Sequence, residues 1–348
     1  MPGTAFAESV SPRSIHDDFT RFKSQHPLLK AHLPRSDLAW CYYQAGPSTD
    51  ADPIIFLHGT SGTAAAFFYQ VQALAEKGYR AISAQYPAFY TTEEWCKGFD
   101  LFLDIIKCRA GAHIFGAGLG GFLAQHYTST YRHRVRSLVL CNAFASTIAF
   151  ADQASTFSSI VHVMPTAVLR KIMLDSFPQD GRMPLTAKQA IDWVALQLHD
   201  INGHDLAGRL LLNCTASTVG HVNLQDSSVT LIESSGETMV PEELRRGIAQ
   251  RHPDAKMAQL KARGDFPFLS EPEEVTIFIE VHMLGAGVVR GIEKQLESSQ
   301  LEEERRRQPT EVAQCTGLRT SESDVNADLP PPPPRRKWKN PFVEEDDL

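Results

Sequence analysis

At 348 residues the chain is long enough for one large domain with tails, or for two small ones. Hydrophobic residues make up 43% and charged residues 22%, the balance of a globular protein rather than a disordered or collagen-like one. A net charge of −7 leaves no broad basic field to draw nucleic acid or anionic lipid.

Six cysteines stand at 41, 96, 108, 141, 214 and 315 without a C-x-x-C pair. Cys41, Cys96, Cys141 and Cys214 sit inside apolar runs, the setting of reduced core thiols in the cytosol rather than of a disulfide framework. Residues 1–14 show no basic start followed by an apolar run, so no secretory leader is expected. No stretch reaches about eighteen consecutive apolar residues, so no transmembrane helix is expected. No cluster has metal-ligand spacing, and neither metal nor cofactor is expected.

In chain order, residues 1–25 are polar with no sustained period and are expected to be loose. The flexible segment is expected to end at residue 27, with one domain running from 28 to 291. Leu38 to Ala45 reads as a strand and Gly46 to Asp50 as a turn. Ile54-Ile55-Phe56-Leu57 is the short apolar run of a strand buried on both faces. A helix follows over 64–77, then a strand over 79–86, a helix over 91–106, a strand over 113–116, a helix over 119–130 and a strand over 135–141. Alternation of this kind requires a parallel sheet with right-handed crossovers and helices on both faces. Residues 145–220 break the rhythm with helical stretches at 160–174 and 187–198, and read as an inserted cap. Alternation returns with a strand over 229–233, a helix over 241–251, a strand over 256–261 and a helix over 271–284. Residues 292–308 read as a solvated charged helix, and 309–348, with Pro330 to Pro334, as a disordered proline-rich tail.

The most informative stretch is Gly116-Ala117-Gly118-Leu119-Gly120-Gly121, at a strand-to-helix junction. Gly116, Gly118 and Gly121 fit the G-x-G-x-x-G dinucleotide fingerprint literally. That motif belongs in a first βα unit with an acid about twenty residues on. Here three strands precede it, and the next strand ends Cys141-Asn142-Ala143 without a carboxylate. The alternative is the nucleophile elbow G-x-S-x-G of α/β-hydrolases. Gly116 and Gly120 are its flanking glycines, but Gly118 occupies the nucleophile position. His58-Gly59, after the third strand, stands where the oxyanion-hole loop belongs.

Glu237, four residues before Pro241, takes the place of the triad acid. Asp265, in Arg263-Gly264-Asp265-Phe266-Pro267, takes the place of the base. Acyl transfer needs a nucleophile, a base to accept its proton and an acid to orient that base. Glycine has nothing to attack with. Two carboxylates side by side would raise the pKa of one without supplying a nucleophile. His126, His162, His204 and His221 could replace the lost base only if the fold brought one of them to the elbow.

These residues resemble the maspardin family, the spastic-paraplegia-associated α/β-hydrolase-like proteins. The likeness rests on Tyr43 to Pro47, Ser61 to Ala64, Gln85-Tyr86-Pro87, Phe115 to Gln125, Leu140-Cys141-Asn142, Leu212-Asn213-Cys214 and Gly264 with Phe266-Pro267, and spans roughly Leu28 to Leu284. It implies an α/β-hydrolase fold, a cytosolic protein associated peripherally with endosomal and trans-Golgi membranes, and binding to proteins, among them a receptor's cytoplasmic tail. Family members are thought to be non-catalytic, keeping the elbow serine but lacking the catalytic histidine. This sequence has lost the serine too.

The tail carries a polyproline run and then Asn340-Pro341-Phe342 followed by acids, which resembles an EH-domain ligand; polyproline-binding partners are a second expectation. The sequence thus points to a non-catalytic adaptor or regulator, with a serine-independent hydrolase or a small-molecule binder using the retained pocket as alternatives.

Overall fold

The computed structural model describes residues 14–47, 52–154, 158–178 and 183–288. Helix α1 (Ile15–Gln25) lies in the segment expected to be loose. Phe19 and Phe22, one turn apart, anchor it. Phe19 packs edge-on against Trp193 at 5.4 Å and Phe22 against Tyr43 at 5.3 Å. Asp17 and Asp18 in its first turn and Lys23 near its end suit the helix dipole. The described domain therefore begins at this helix and not at residue 28. Residues 1–13, the charged segment 292–308 and the proline-rich tail 309–348 lie outside the described residues.

An antiparallel pair, β1 (Leu29–His32) and β2 (Ala39–Ala45), leads into the sheet. Then follow β3 (Ile54–Leu57), a 3₁₀ turn (Ala64–Phe67) leading into α2 (Phe68–Glu76), β4 (Ala81–Gln85), α3 (Thr92–Ile105), β5 (Ala112–Ala117), α4 (Leu119–Thr130) and β6 (Val135–Cys141). Between β6 and β7 (Val229–Ser235) stands the helical insertion, with α5 (Ile148–Ala154), α6 (Thr166–Asp175), α7 (Leu185–Gln197) and α8 (Gly203–Cys214). Helix α9 (Glu242–Arg251), β8 (Lys256–Arg263), α10 (Pro267–Ser270) and α11 (Pro272–Gly285) complete the domain.

The eight strands run in the order β1-β2-β4-β3-β5-β6-β7-β8, with all neighbours from β4 to β8 parallel and β2 antiparallel to β4. Strands β3 and β5 are buried at every residue. Ile54 and Phe56 pack into one core layer and Ile55 and Leu57 into the other, as expected for strands covered on both sides. Strand order reverses between β3 and β5, so the crevice at the carboxyl ends of these strands is where a ligand belongs. The ends of the insertion are tied together at its base, where Ser146 pairs with Thr218 and the Thr147 hydroxyl donates to Thr215 O at 2.6 Å.

At the other end of the sheet a buried polar chain links three strands to α11. His113 Nδ1 is 2.6 Å from Ser137 Oγ, that hydroxyl is 2.7 Å from His282 Nε2, and His282 Nδ1 is 2.7 Å from Thr230 Oγ1. Burial pushes His113 down to about 4 and His282 down to about 3, so both rings are neutral near pH 7.

Candidate functional site: the turn between β5 and α4

The strand-to-helix turn between β5 and α4 keeps the strained geometry of a nucleophile elbow. Gly118 sits at φ 51°, ψ −119°, a region costly for any residue with a side chain. Its flanking glycines serve packing. A β-carbon at Gly120 would lie 2.2 Å from Leu57 O, and one at Gly116 would lie 2.5 Å from Gly121 Cα. At Gly118, by contrast, an added β-carbon would meet only Gly59 Cα, 4.0 Å away. Space for a side chain thus persists at the elbow, although the residue there has none.

The loop after β3 forms the facing wall. His58 is buried, its Nδ1–H donates to Gly59 O at 2.7 Å, and its ring stacks on Tyr86 at 4.5 Å. Burial, reinforced by nearby Arg209, holds His58 well below the usual imidazole range. It is therefore neutral. Arg209 of α8 fixes this loop from the cap side: it is buried, its Nη1–H donates to Gly62 O at 2.7 Å, and its guanidinium lies over the Tyr86 ring at 5.5 Å.

Asn142, just beyond β6, clamps the loops opposite. It adopts φ 43°, uncommon for a residue other than glycine. Its Oδ1 accepts from Ser234 N at 2.9 Å, while Nδ2 donates to Ser234 Oγ at 3.0 Å and reaches Gly264 O at 3.4 Å. One side chain thereby holds the end of β7 and the turn after β8. Asp265 lies next in that turn, buried, with Oδ1 accepting from Met239 N at 2.7 Å and Oδ2 without a hydrogen-bond partner.

Burial pushes the Asp265 carboxyl up to about 7, with the Met239 N–H and Arg245 pulling weakly the other way. The side-by-side carboxylates expected from the sequence do not form. Glu237 is exposed and lines a different recess from the one Asp265 lines, and it is not among the groups that shift the Asp265 carboxyl.

His58, Gly59, Gly118, Asn142 and Asp265 converge on one cavity of about 520 Å³ beneath the cap, which Gly116, Gly120 and Glu237 do not line. None of His126, His162, His204 or His221 reaches it. Among its hydroxyls and thiols, Cys214 is pushed up to about 11 by burial and is a thiol at neutral pH. No hydrogen bond joins Thr60, Ser61 or Ser176 to an imidazole or carboxylate base among the described residues. Among those residues, no His/Cys/Asp/Glu cluster suits a metal ion, and no helix is long and apolar enough to cross a membrane.

A central parallel sheet, an elbow after β5 and a cap after β6 define an α/β-hydrolase fold, and residues 54–276 match the model of the alpha/beta hydrolase family. Within that fold family the chain belongs to the maspardins. It is 39% identical over 272 residues to maspardin of Danio rerio, covering 77% of this chain and 86% of that one. It is 37% identical over 274 residues to maspardin of Homo sapiens, covering 78% and 87%. Among solved structures, a thermophilic esterase from Thermogutta terrifontis superposes with a TM-score of 0.61 at 15% identity, over 74% of this chain and 98% of that one, a likeness of fold.

Sequence reasoning missed Arg209 and Asn142. Arg209 lies in a cap helix, where the neighbouring Leu212-Asn213-Cys214 says nothing of its role. Asn142 carries a faint signal, an asparagine directly after a strand where a left-handed residue is tolerated.

Proposed function

We propose that this chain is a non-catalytic maspardin-family protein that acts by binding, as an adaptor or regulator. The observation that carries the reading is the elbow itself: Gly118 holds a strained strand-to-helix backbone conformation with no side chain, and Asp265 lies in the turn after β8, where the sequence pattern would put the base. Without attacking group or imidazole, acyl transfer has neither of its two proton-handling partners. Purified protein is expected to hydrolyse p-nitrophenyl esters from acetate to dodecanoate no faster than buffer. Saturable turnover that survives repurification would overturn it.

The adaptor role, in the cytosol and at endosomal or trans-Golgi membranes, extends the same reading. It is supported by the resemblance to the maspardins and by the tail motif Asn340-Pro341-Phe342 with its following acids, which lies outside the described residues. A tail peptide is expected to retain EH-domain proteins that the Phe342→Ala peptide does not. Equal recovery on both would remove the EH-domain partner.

A further inference from the structure

Helix α11 is apolar on nearly every side. Between Val275 and Leu284 only Thr276, Glu280 and His282 are polar, and Glu280 is paired with Lys77 of α2. A helix of that composition is one covered on both sides. Val275, Ile279 and Met283 enter the core, with α2, α10 and β8 packed around the helix. On the opposite side Ile277, Val281 and Leu284 stay 56%, 56% and 47% exposed. At spacings of four and three they form one strip along the helix. Single exposed apolar side chains are ordinary, but an aligned run of them marks a contact surface.

The end of α11 sends the chain back toward this strip. Gly287 takes φ 74°, and its N–H donates to Leu284 O at 3.0 Å. The Val288 N–H donates to Met283 O at 3.1 Å, and the Val288 side chain packs on the core layer that holds Met283. This pair of bonds with its apolar contact is a Schellman turn, which ends a helix and redirects the chain. In the sequence that follows, the apolar residues up to Ser299 are Val289, Ile292 and Leu296. Their spacing, three and then four, is that of the strip in reverse order. On a helix they share one face, and every other position from 289 to 299 is polar or glycine. Reflection about the turn sets Val289 against Leu284, Ile292 against Val281 and Leu296 against Ile277. Residues 286–288 provide a connection of the length that joins antiparallel helices.

We propose that the strip on α11 is the docking surface for this chain's own segment 289–299, held as an antiparallel helix with Val289, Ile292 and Leu296 seated on Leu284, Val281 and Ile277. A second copy suits the strip less well. Three half-exposed side chains fall far short of the ~800 Å² per partner that a stable dimer buries. An isolated helix of this length is marginal in water, so the order of the segment depends on the strip. Helix α11 contributes no residue to the cavity beneath the cap, so the occupant of the strip is independent of whether the elbow is catalytic.

The test is hydrogen–deuterium exchange of the full-length protein, read on peptides spanning 289–299. It is run at protein concentrations about tenfold apart, because association between copies depends on concentration. The amides of 292–299 are expected to exchange roughly tenfold or more slowly than unstructured chain. Val281→Glu, at an exposed position of α11, should return them to the unstructured rate while leaving the β5 amides unchanged. Ile292→Glu should do the same from the other side of the contact. Lys294→Glu, on the polar face, should leave protection intact. Exchange at the unstructured rate in the wild type would overturn the proposal. Protection that survives Val281→Glu or Ile292→Glu, or that Lys294→Glu removes equally, would overturn it as well, because the segment would then be ordered by something other than the strip. Protection present only at the higher concentration would assign the strip to a second copy and overturn it too.

Discussion

Replacing Asp265 by Asn should make the protein more stable at neutral and alkaline pH. The carboxyl is raised from its ordinary 3.8 to about 7 by burial. A raised pKa means that the native state favours the proton. The native carboxyl then matches the unfolded one in energy only below the unfolded value, and stability is lost as pH rises through the window from 3.8 to about 7. At about 1.36 kcal/mol per unit over roughly three units, the cost reaches an upper bound of ~4 kcal/mol at pH 8. Asparagine has the same shape, keeps an Oδ1 to accept from Met239 N, and carries no charge to bury. Urea unfolding monitored by tryptophan fluorescence should show a gain of up to ~4 kcal/mol at pH 8, shrinking to less than ~1 kcal/mol at pH 4. In a thermal scan at pH 8 this corresponds to roughly 8 °C. An unchanged midpoint at pH 8, or a gain that persists undiminished at pH 4, would refute the desolvation argument.

Gly118→Ser should destabilise by about 1–2 kcal/mol, because φ 51° disfavours a β-carbon while the space around it does not; urea unfolding reads the loss, and p-nitrophenyl acetate should remain intact because no base is restored. Gly120→Val should abolish soluble expression, since its β-carbon would overlap Leu57 O. Asn142→Ala removes the bonds that hold Ser234 and Gly264 and leaves a buried N–H unpaired, a cost of about 2–4 kcal/mol in urea unfolding. His113 and His282 are depressed, so their contribution is full above the unfolded value of 6.5 and is lost as pH falls below it. At pH 5 each should cost about 2 kcal/mol. The stability difference between wild type and the His113→Gln/His282→Gln variant should therefore shift by ~4 kcal/mol between pH 7.5 and 5, and a constant difference would contradict the buried-neutral assignment.

The parallel sheet was legible because β3 to β6 are short apolar runs separated by helices of ordinary period, and both features follow from burial on two faces. Helix α1 was not, because two phenylalanines in an otherwise polar segment show no period until Trp193 and Tyr43 are in place to receive them. The cap was visible as a break in rhythm, yet α8, which carries Arg209, was not, since the direction of a buried arginine depends on a tertiary loop over a hundred residues away. At the site, the glycine spacing is legible in the sequence as a strand-to-helix turn, which the structure places between β5 and α4, with Asp265 on the same cavity as Gly118. Whether Glu237 approached it depended on the path of a turn, and that turn follows Met239 and Asp265 rather than any motif.

The central claim is that no activated nucleophile stands above β5. The most direct measurement is intact-mass spectrometry of the native protein after incubation with an alkyl fluorophosphonate, which captures serine nucleophiles only when a base activates them. The account predicts an unmodified mass for wild type and for Gly118→Ser alike. Stoichiometric phosphonylation of the wild type at Thr60, Ser61 or Ser176, quenched by heat denaturation, would contradict it.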